Sequence, residues 1–178
     1  MAQREDSTKF AGQKNPWIQI LNLDYDNVET VETVTSDYWV EGNESKLYMY
    51  TQNDGVRYFQ LFTPKKGTKG KRVIKEKRLN RKQQEYYIEL LQKVKANNFT
   101  NINKAGLNIT KRRNGQFLKV GKGTSFRLRY IGYDYFKDFY TYAPQQYVDQ
   151  KYPGWMERVK LLSLIIDFNK MTKRLQVN

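Results

Sequence analysis

The stretch SKLYMYTQNDGVRYFQLFTP, residues 45–64, carries the strongest local fold signal in this chain. Two runs that alternate apolar and polar residues and are rich in aromatic rings flank Asn53, Asp54 and Gly55. This pattern predicts two antiparallel strands joined by a loop of three or four residues, with the glycine taking the positive φ. Pro64 is expected to end the second strand because proline cannot donate a hydrogen bond to the ladder.

Further strands are predicted on both sides of this hairpin. Apolar and β-branched runs indicate strands over 15–25 and 26–40, and regular alternation indicates another over 124–136. A second hairpin is predicted over 107–120, where Asn-Gly supplies a strong two-residue turn signal. The Gly-Lys-Gly of residues 121–123 is expected to form the turn that leads into the strand after it.

Two helices complete the set of predicted elements. Residues 80–96 show helical spacing of apolar residues, with Asn80 as the N-cap. Residues 153–174 are apolar almost all round in the middle, which predicts a buried helix, and the tyrosine-rich segment 138–154 before it is expected to be irregular. The order of elements predicts an α+β fold, with a mainly antiparallel sheet or a partly open barrel and two packed helices.

The β-rich start, the basic segment and the aromatic strands over 15–145 together resemble oligonucleotide-binding barrels. The resemblance implies a groove for an oligonucleotide, and the helix at 80–96 fits other α+β folds as well. With 178 residues, of which 39% are hydrophobic, we expect a polar tail at 1–14 and one domain at 15–178, with a flexible basic loop at 64–78.

The absence of cysteine and histidine narrows the chemistry. It excludes disulfides, zinc-thiolate sites and thiol nucleophiles, and it removes the commonest general base and metal ligand. We therefore expect a protein that is not an enzyme and that holds no cofactor or metal. No secretory signal or membrane span is evident, so a cytoplasmic location is expected, and the many Lys, Asn, Tyr and Ile residues favour a low-GC bacterium, phage or plasmid as the source.

Positive charge is concentrated in one part of the chain. Residues 65–82 hold ten Lys or Arg and one acid, and residues 61–178 sum to +19 while residues 1–60 sum to −5, which together give the net charge of +14. A basic surface of this kind attracts polyanions, and the counterions that it releases make the binding sensitive to salt. The acidic first third is a candidate surface for a protein partner. Oligomeric state stays open.

Aromatic rings are dense beside the basic residues. Eleven of the thirty residues from Phe126 to Trp155 are aromatic. Rings that stack on unpaired bases, next to cations that contact phosphates, are typical of single-strand binding, although tyrosines also serve as core. We expect sequence-tolerant binding of single-stranded DNA, in phage or plasmid replication. The expected contact residues are Lys65, Lys66, Lys69, Lys71, Arg72, Lys75, Arg78, Arg81, Lys111, Arg112, Arg113, Lys119, Lys122, Arg127, Arg129, Tyr48, Tyr50, Tyr58, Tyr133 and Tyr135.

Other functions compete with this hypothesis. Duplex DNA or RNA is an alternative ligand, since Asn80, Arg81, Gln83 and Gln84 at a helix start suit groove reading. A phage structural or host-inhibitory protein is a third class, which gel filtration with oligonucleotides separates from a binding module. A Mg²⁺-dependent nuclease would need paired carboxylates, for which the candidates are Asp24 with Asp26, Asp134 with Asp138, and Asp149 beside Lys151.

A phosphate-binding loop is weighed on the sequence Gly-Lys-Gly-Thr at 121–124. The spacing to the upstream glycine is wrong by one residue, and a strand follows where such a loop needs a helix. The sequence therefore favours a simple turn with exposed Lys119 and Lys122.

Overall fold

The computed structural model describes residues 29–36, 42–51, 55–64, 73–96, 102–131 and 136–170, and for some strand residues the backbone alone. Within these ranges the chain forms six strands and four helices. In chain order they are β1 (Glu29–Ser36), β2 (Gly42–Thr51), β3 (Gly55–Pro64), β4 (Val73–Arg78), α1 (Arg81–Ala96), α2 (Lys104–Leu107), β5 (Ser125–Ile131), β6 (Phe136–Tyr142), α3 (Pro144–Asp149) and α4 (Trp155–Lys170).

The six strands form one antiparallel sheet in the order β4-β3-β2-β1-β5-β6. This confirms the α+β class with an antiparallel sheet. The sheet is open, since β4 and β6 lie at opposite ends of the order and do not pair with each other. Of the two expected forms, the open sheet is therefore the one found, and the barrel is not.

The central hairpin follows the predicted pattern. Strand β2 pairs with β3 from Gly42 opposite Pro64 to Thr51 opposite Gly55. Gly55 has a φ of 68°, which an L residue rarely adopts, so glycine is required at this place. A methyl group there would also lie 2.4 Å from the side-chain oxygen of Gln84 at the start of α1. Gly55 and the helix start are thus packed closely together.

The predicted strand at 26–40 is found as β1, and the predicted strand at 124–136 is found in its first part as β5, which pairs with β1 inside the sheet. The end of that prediction is wrong, because β5 ends at Ile131 and Phe136 begins β6. In β5 the side chains of Leu128 and Tyr130 are buried, as the alternating pattern predicts. The predicted strand at 15–25, and the tail at 1–14, lie outside the described residues.

The prediction of a flexible loop over residues 64–78 is wrong for the last part of that range. Residues Val73–Arg78 form strand β4, which pairs along β3 with Leu61 opposite Ile74. The β-branched pair Val73 and Ile74 follows the last glycine of this segment, and such residues favour a strand at an open sheet edge. The lysines of β4 also suit an edge, because charge hinders pairing with other chains.

The segment 138–154 was predicted to be irregular, and this prediction is wrong. Strand β6 runs along β5, with Phe139 opposite Leu128, and helix α3 follows with proline in its first turn. The alternation is masked in the sequence, because aromatic residues occupy both faces of β6: Phe139 is buried while Tyr140 and Tyr142 are exposed.

The predicted hairpin at 107–120 is present only as a tight turn with a single bridge, between Lys111 and Phe117. Helix α2, which was not predicted from the sequence, precedes this segment and ends at its first residue, Leu107. The carbonyl groups that a longer ladder would need bind instead to a buried arginine, described below. Gly115 has a φ of 87°, so the Asn-Gly turn signal itself is confirmed.

Helix α1 begins where predicted, in a reciprocal cap. The side chain of Asn80 accepts a hydrogen bond from the backbone N–H of Gln83, and the Gln83 side chain accepts one from the N–H of Asn80, at 3.0 and 2.9 Å. This arrangement satisfies two donors that a helix start leaves without partners. Both amide side chains are therefore used to begin the helix.

The predicted helix at 153–174 is found as α4. The prediction that it is buried on all sides is wrong. Leu161, Ile165 and Phe168 are buried on one face, whereas Met156, Val159 and Ile166 are exposed on another. The apolar residues are distributed around the helix, but the sheet and the other three helices leave one side of it exposed.

The core lies between the sheet and the helices and is rich in rings. Tyr48 packs on Tyr58, Tyr87 and Phe168 with ring centroids 5.4 to 6.1 Å apart. We call this group, with Tyr130, the aromatic core; all five side chains are buried. The Tyr48 hydroxyl also donates a hydrogen bond to Asn169 of α4 at 3.2 Å, which links the sheet to the last helix.

Candidate nucleic-acid interface

Residues 104–124, here called the basic turn, form the most uniformly positive described segment. The segment contains six Lys or Arg and no acid. Its tip is built by three hydrogen bonds: the N–H of Arg112 donates to Gln116 O, that of Gly115 to Arg112 O, and that of Gln116 to the Asn114 side chain, at 2.8 to 3.1 Å. The tip thus has a defined backbone without a long ladder.

Arg158 of α4 fixes the start of the basic turn from inside the protein. Its guanidinium group donates to the carbonyl oxygens of Leu107 and Ile109 at 3.0 and 2.7 Å, and to Pro153 O at 3.1 Å. The side chain is only 1% exposed and lies 4.0 Å from the ring centroid of Tyr147. Burial lowers the pKa of Arg158, while the nearby Tyr147 opposes the shift; arginine keeps its charge regardless.

A buried cation without a carboxylate partner is costly unless its donors are satisfied. Carbonyl dipoles and the face of an aromatic ring compensate the two terminal nitrogens of the Arg158 guanidinium group, whereas its buried Nε has no hydrogen-bond partner among the described residues. The close approach of the chains also requires Gly154, since a methyl group there would lie 2.0 Å from the carbonyl oxygen of Gly106. The start of the turn is therefore part of the folded core, and its position follows that of α4.

The rest of the basic turn is held by polar side chains from β6, α3 and the turn before α4. The Tyr152 hydroxyl donates to Gln116 O, and the N–H groups of Gly121 and Gly123 donate to Gln146 and Tyr142 at 3.1 Å each. Because the glycine N–H groups already have these partners, the segment 121–124 cannot wrap a phosphate as a phosphate-binding loop does. The predicted simple turn into β5 is confirmed.

The cations of the basic turn lie at the protein surface, and the guanidinium group of Arg112 lies 4.9 Å from the ring centroid of Tyr152. All are exposed, and four of the five predicted there form no ion pair with a described acid: Lys111, Arg112, Arg113 and Lys119. Lys104 of α2, which the sequence reading did not include, is exposed beside them. Cations that are not neutralised by the protein's own acids are free to pair with phosphates.

Phe117 is the exposed ring of this turn. It is 65% exposed, and the ammonium group of Lys111 lies 5.1 Å from its ring centroid. Such a large exposed ring, which lies outside the buried core, is available to contact a ligand. The sequence reading missed it, although its place two residues after an Asn-Gly turn was a signal that it lies near a hairpin tip.

The predicted stacking role of Tyr48 and Tyr58 is wrong, because both rings are buried. Tyr48 is 0% exposed at the centre of the aromatic core, and Tyr58 is buried against it. Neither ring has a face that a base can reach. Tyr50 is partly buried against the same core, and Tyr133 and Tyr135 lie outside the residues whose side chains are described.

Arg127 and Arg129, predicted to contact phosphates, are paired within the sheet. Arg129 donates to the buried carboxylate of Glu32 at 2.8 Å, and Arg127 lies 3.0 Å from Asp138. Glu32 also accepts a hydrogen bond from Ser45 at 2.7 Å. The expected role is therefore wrong for Arg129, whose charge is compensated and largely buried. Asp138, the neighbour of Arg127, also lies 3.8 Å from Arg129.

The predicted cations beside the helix start occupy the other end of the sheet. Arg78 ends β4 and Arg81 begins α1; both are exposed, and Arg81 pairs with Glu85 at 2.9 Å. The side chain of Lys75 is outside the described part, as are the loop residues Lys65, Lys66, Lys69, Lys71 and Arg72. The predicted grip of those loop cations on phosphate stays a prediction.

The two basic regions do not share one strand edge. The basic turn is attached to β6 and α3, whereas Arg78 and Arg81 adjoin β4. These edges are five strand spacings apart, or roughly 24 Å at about 4.8 Å per strand. A single polyanion that contacts both must cross the width of the molecule.

The carboxylate pairs weighed for a nuclease site are not assembled in the described part. Asp138 pairs with arginines, Asp149 accepts a hydrogen bond from Gln145, and Asp24, Asp26 and Asp134 lie in ranges that are not described. Among the residues with described positions, no three acids come together as metal ligands.

No protein-family model matches this chain, and no curated protein matches it in sequence. In the described ranges, none of the helices has the length and hydropathy that crossing a membrane requires.

Proposed function

We propose that this chain binds nucleic acid without sequence preference, through the phosphate backbone, and that the basic turn is its contact surface. The observation that carries the proposal is an acid-free segment with six exposed cations, held in place by a buried arginine. Phosphate contacts of this type give affinity and orientation but no choice of sequence.

Single-stranded nucleic acid is the ligand that this turn suits best. The exposed ring of Phe117 lies between Arg112 and Arg113 on one side and Lys119 on the other along the chain. An unpaired base can stack on such a ring while its flanking phosphates contact the cations. In a duplex the bases are already stacked, so the ring would gain nothing from a base.

Groove reading of a duplex by the start of α1 receives no support from the contacts there. Asn80 and Gln83 form the helix cap, and the amide nitrogen of Gln84 donates to Leu79 O at 2.7 Å. One atom of each of these amides is therefore bonded to the backbone. Those atoms could reach a base edge only if the helix start were rearranged.

The test is a titration of a fluorescent oligonucleotide at several salt concentrations. Changing Lys111, Arg113 and Lys119 to alanine should reduce the slope of log affinity against log salt by about 2, since each lost phosphate contact contributes about 0.7 for single strands. Changing Lys82, Lys93 and Lys170 to alanine removes the same net charge from helix surfaces and should change the slope much less. An equal slope in the two variants would contradict a localised contact.

The same titration addresses the cations of the loop. Alanine at Lys65, Lys66, Lys69, Lys71 and Arg72 is expected to reduce the slope by several units if these residues also contact phosphates. An unchanged slope would assign the contact to the basic turn alone. Single-stranded DNA, duplex DNA and RNA of equal length, compared in parallel, rank the ligands.

A further inference from the structure

The outer face of α4 carries an apolar stripe that nothing in the described structure covers. Met156, Val159 and Ile166 are 56%, 40% and 50% exposed. With the exposed Ser163 and Lys170 they recur at alternating steps of three and four residues. This spacing is that of the seam by which two helices pack along each other. The opposite face of α4 already packs in the core, so the stripe is not needed for the fold.

The stripe is complementary to its own reversed copy. Reversal about Ser163 brings Val159 to the level of Ile166, within about one residue rise of 1.5 Å. The small side chain of Ser163 lies at the centre, where two helix backbones can approach. At the ends, Met156 comes level with the aliphatic stem of Lys170. Each apolar residue therefore meets an apolar group in an antiparallel pair.

The charges beside the stripe follow the same symmetry. Lys160 and Asp167 are seven residues apart and hence lie on one flank of the helix, with residue angles about 20° apart at 3.6 residues per turn. Reversal about Ser163 places Lys160 level with Asp167, again within about one residue rise. An antiparallel two-fold axis keeps this flank on the same side in both helices, so each lysine faces an aspartate. A parallel pair would instead set Lys170 against its own copy.

We propose that this stripe binds a second copy of the chain, with α4 packed antiparallel on α4 of the partner about a two-fold axis at Ser163. In this arrangement Val159 contacts Ile166 of the partner subunit, and Lys160 pairs with Asp167 of the partner subunit. Within one helix, Lys160 pairs with Glu157 at 2.9 Å and Asp167 pairs with Lys170. These ion pairs lie at the same surface, so each charged group can contact its neighbour in the helix and the partner subunit together. The inference does not depend on nucleic-acid binding.

The dimer is expected to be weak. One pair of helices of 16 residues buries less than the 1,200–2,000 Å² of a typical stable interface, so we expect dissociation constants of about 10 µM to 1 mM. Association should therefore depend on concentration. Sedimentation velocity of the full chain without oligonucleotide, at increasing concentration, measures it directly.

Two charge reversals and their mixture give a sharp test. K160D sets a carboxylate opposite Asp167 of the partner subunit, and D167K sets an ammonium group opposite Lys160 of the partner subunit, so each variant alone should associate at least tenfold more weakly. In an equimolar mixture the two variants present opposite charges to each other at both contacts. The mixture should then recover association, which loss of folding cannot explain.

A control separates this contact from general charge effects. K93D reverses a charge on the exposed surface of α1, outside the stripe, and should leave association unchanged. I166E places a charge in the stripe itself and should abolish association while circular dichroism stays helical. A chain that is monomeric at about 1 mM, or a mixture of K160D and D167K that stays as weak as each alone, would overturn the proposal.

Discussion

The aromatic core and the basic turn contain the two kinds of side chain that single-strand binding requires, but they lie in opposite environments. The rings of the core are buried between the sheet and the helices, whereas the cations of the turn are exposed and four of them form no ion pair with a described acid. Phe117 is the ring that shares the environment of the cations. The contrast shows that the density of rings and cations along a chain does not tell where the two meet.

The largest effect is expected from a change in the aromatic core. Tyr48→Ala should lower the free energy of unfolding by about 3–5 kcal/mol, because a buried ring is replaced by a cavity. The affinity of the folded fraction for oligonucleotides should not change. Urea unfolding and titration below the unfolding transition measure the two quantities. Tyr48→Phe keeps the ring, loses the hydroxyl that donates to Asn169 and should cost about 1 kcal/mol.

The next effect concerns the residue that joins the core to the basic turn. Arg158→Met should lower the free energy of unfolding by roughly 2–4 kcal/mol, because the buried carbonyls of Leu107 and Ile109 lose their donor. Hydrogen exchange should become faster over 104–124 before the rest of the chain. Arg112→Met, which removes an exposed guanidinium from the turn, should change stability by less than about 0.5 kcal/mol. Equal losses in both variants would contradict an anchoring role.

A smaller effect, on binding rather than stability, is expected at the exposed ring. Phe117→Ala should weaken binding of single-stranded oligonucleotides by about 1–3 kcal/mol and leave the salt slope unchanged, because stacking is lost while phosphate contacts remain. Duplex binding should stay the same. Tyr140→Ala removes an exposed ring from β6 and serves as the control. If the two variants bind equally well, Phe117 is not a stacking residue.

The smallest effect is a dependence on alkaline pH in the core. Burial, with the nearby Glu29 charge, raises the pKa of Tyr87 well above its usual 10.0. The folded state therefore keeps the proton where the unfolded state loses it, so stability is full below about pH 10 and falls as the pH rises further. The Tyr87 hydroxyl has no described hydrogen-bond partner. Tyr87→Phe should match or exceed the wild type by up to about 1 kcal/mol at pH 8, and the difference should grow above pH 10.

Urea midpoints of the wild type and Tyr87→Phe between pH 8 and about pH 11 measure this difference. Tyr130→Phe is a useful comparison, because the Tyr130 hydroxyl donates a hydrogen bond to Glu29 and its loss should be destabilising at all pH values. If the stabilities of the wild type and of Tyr87→Phe change in parallel with pH, the Tyr87 hydroxyl is solvated.

Much of the fold could be predicted because local patterns agree with it. The hairpin at 45–64, strand β5 and the start of α1 each combine periodicity with a turn or cap residue, and all three are found as expected. Strand β6 could not be recognised, since aromatic residues lie on both of its faces and hide the period of two. Its pairing with β5 is a tertiary effect.

The candidate site was predictable only in part, for a related reason. The charge of residues 111–113, 119 and 122 is visible in the sequence, and these residues do lie in one exposed turn. The pairing of Arg129 with Glu32 joins residues 97 positions apart, and Arg158 reaches the turn from about 50 positions away. Partners at such separations are set by strand order and helix packing, which the local sequence does not encode.

The way in which Arg158 holds the basic turn bears on how this surface can vary. The guanidinium group contacts carbonyl oxygens, which every amino acid carries, rather than the side chains of residues 106–109. Substitutions at Asn108 and Ile109, which are not buried, can therefore accumulate without moving the segment, provided that Leu107 stays in the core and that Gly106 and Gly154 keep their close approach. Contacts to the backbone thus hold the basic turn in place, while the exposed side chains of the turn are open to selection for a new ligand.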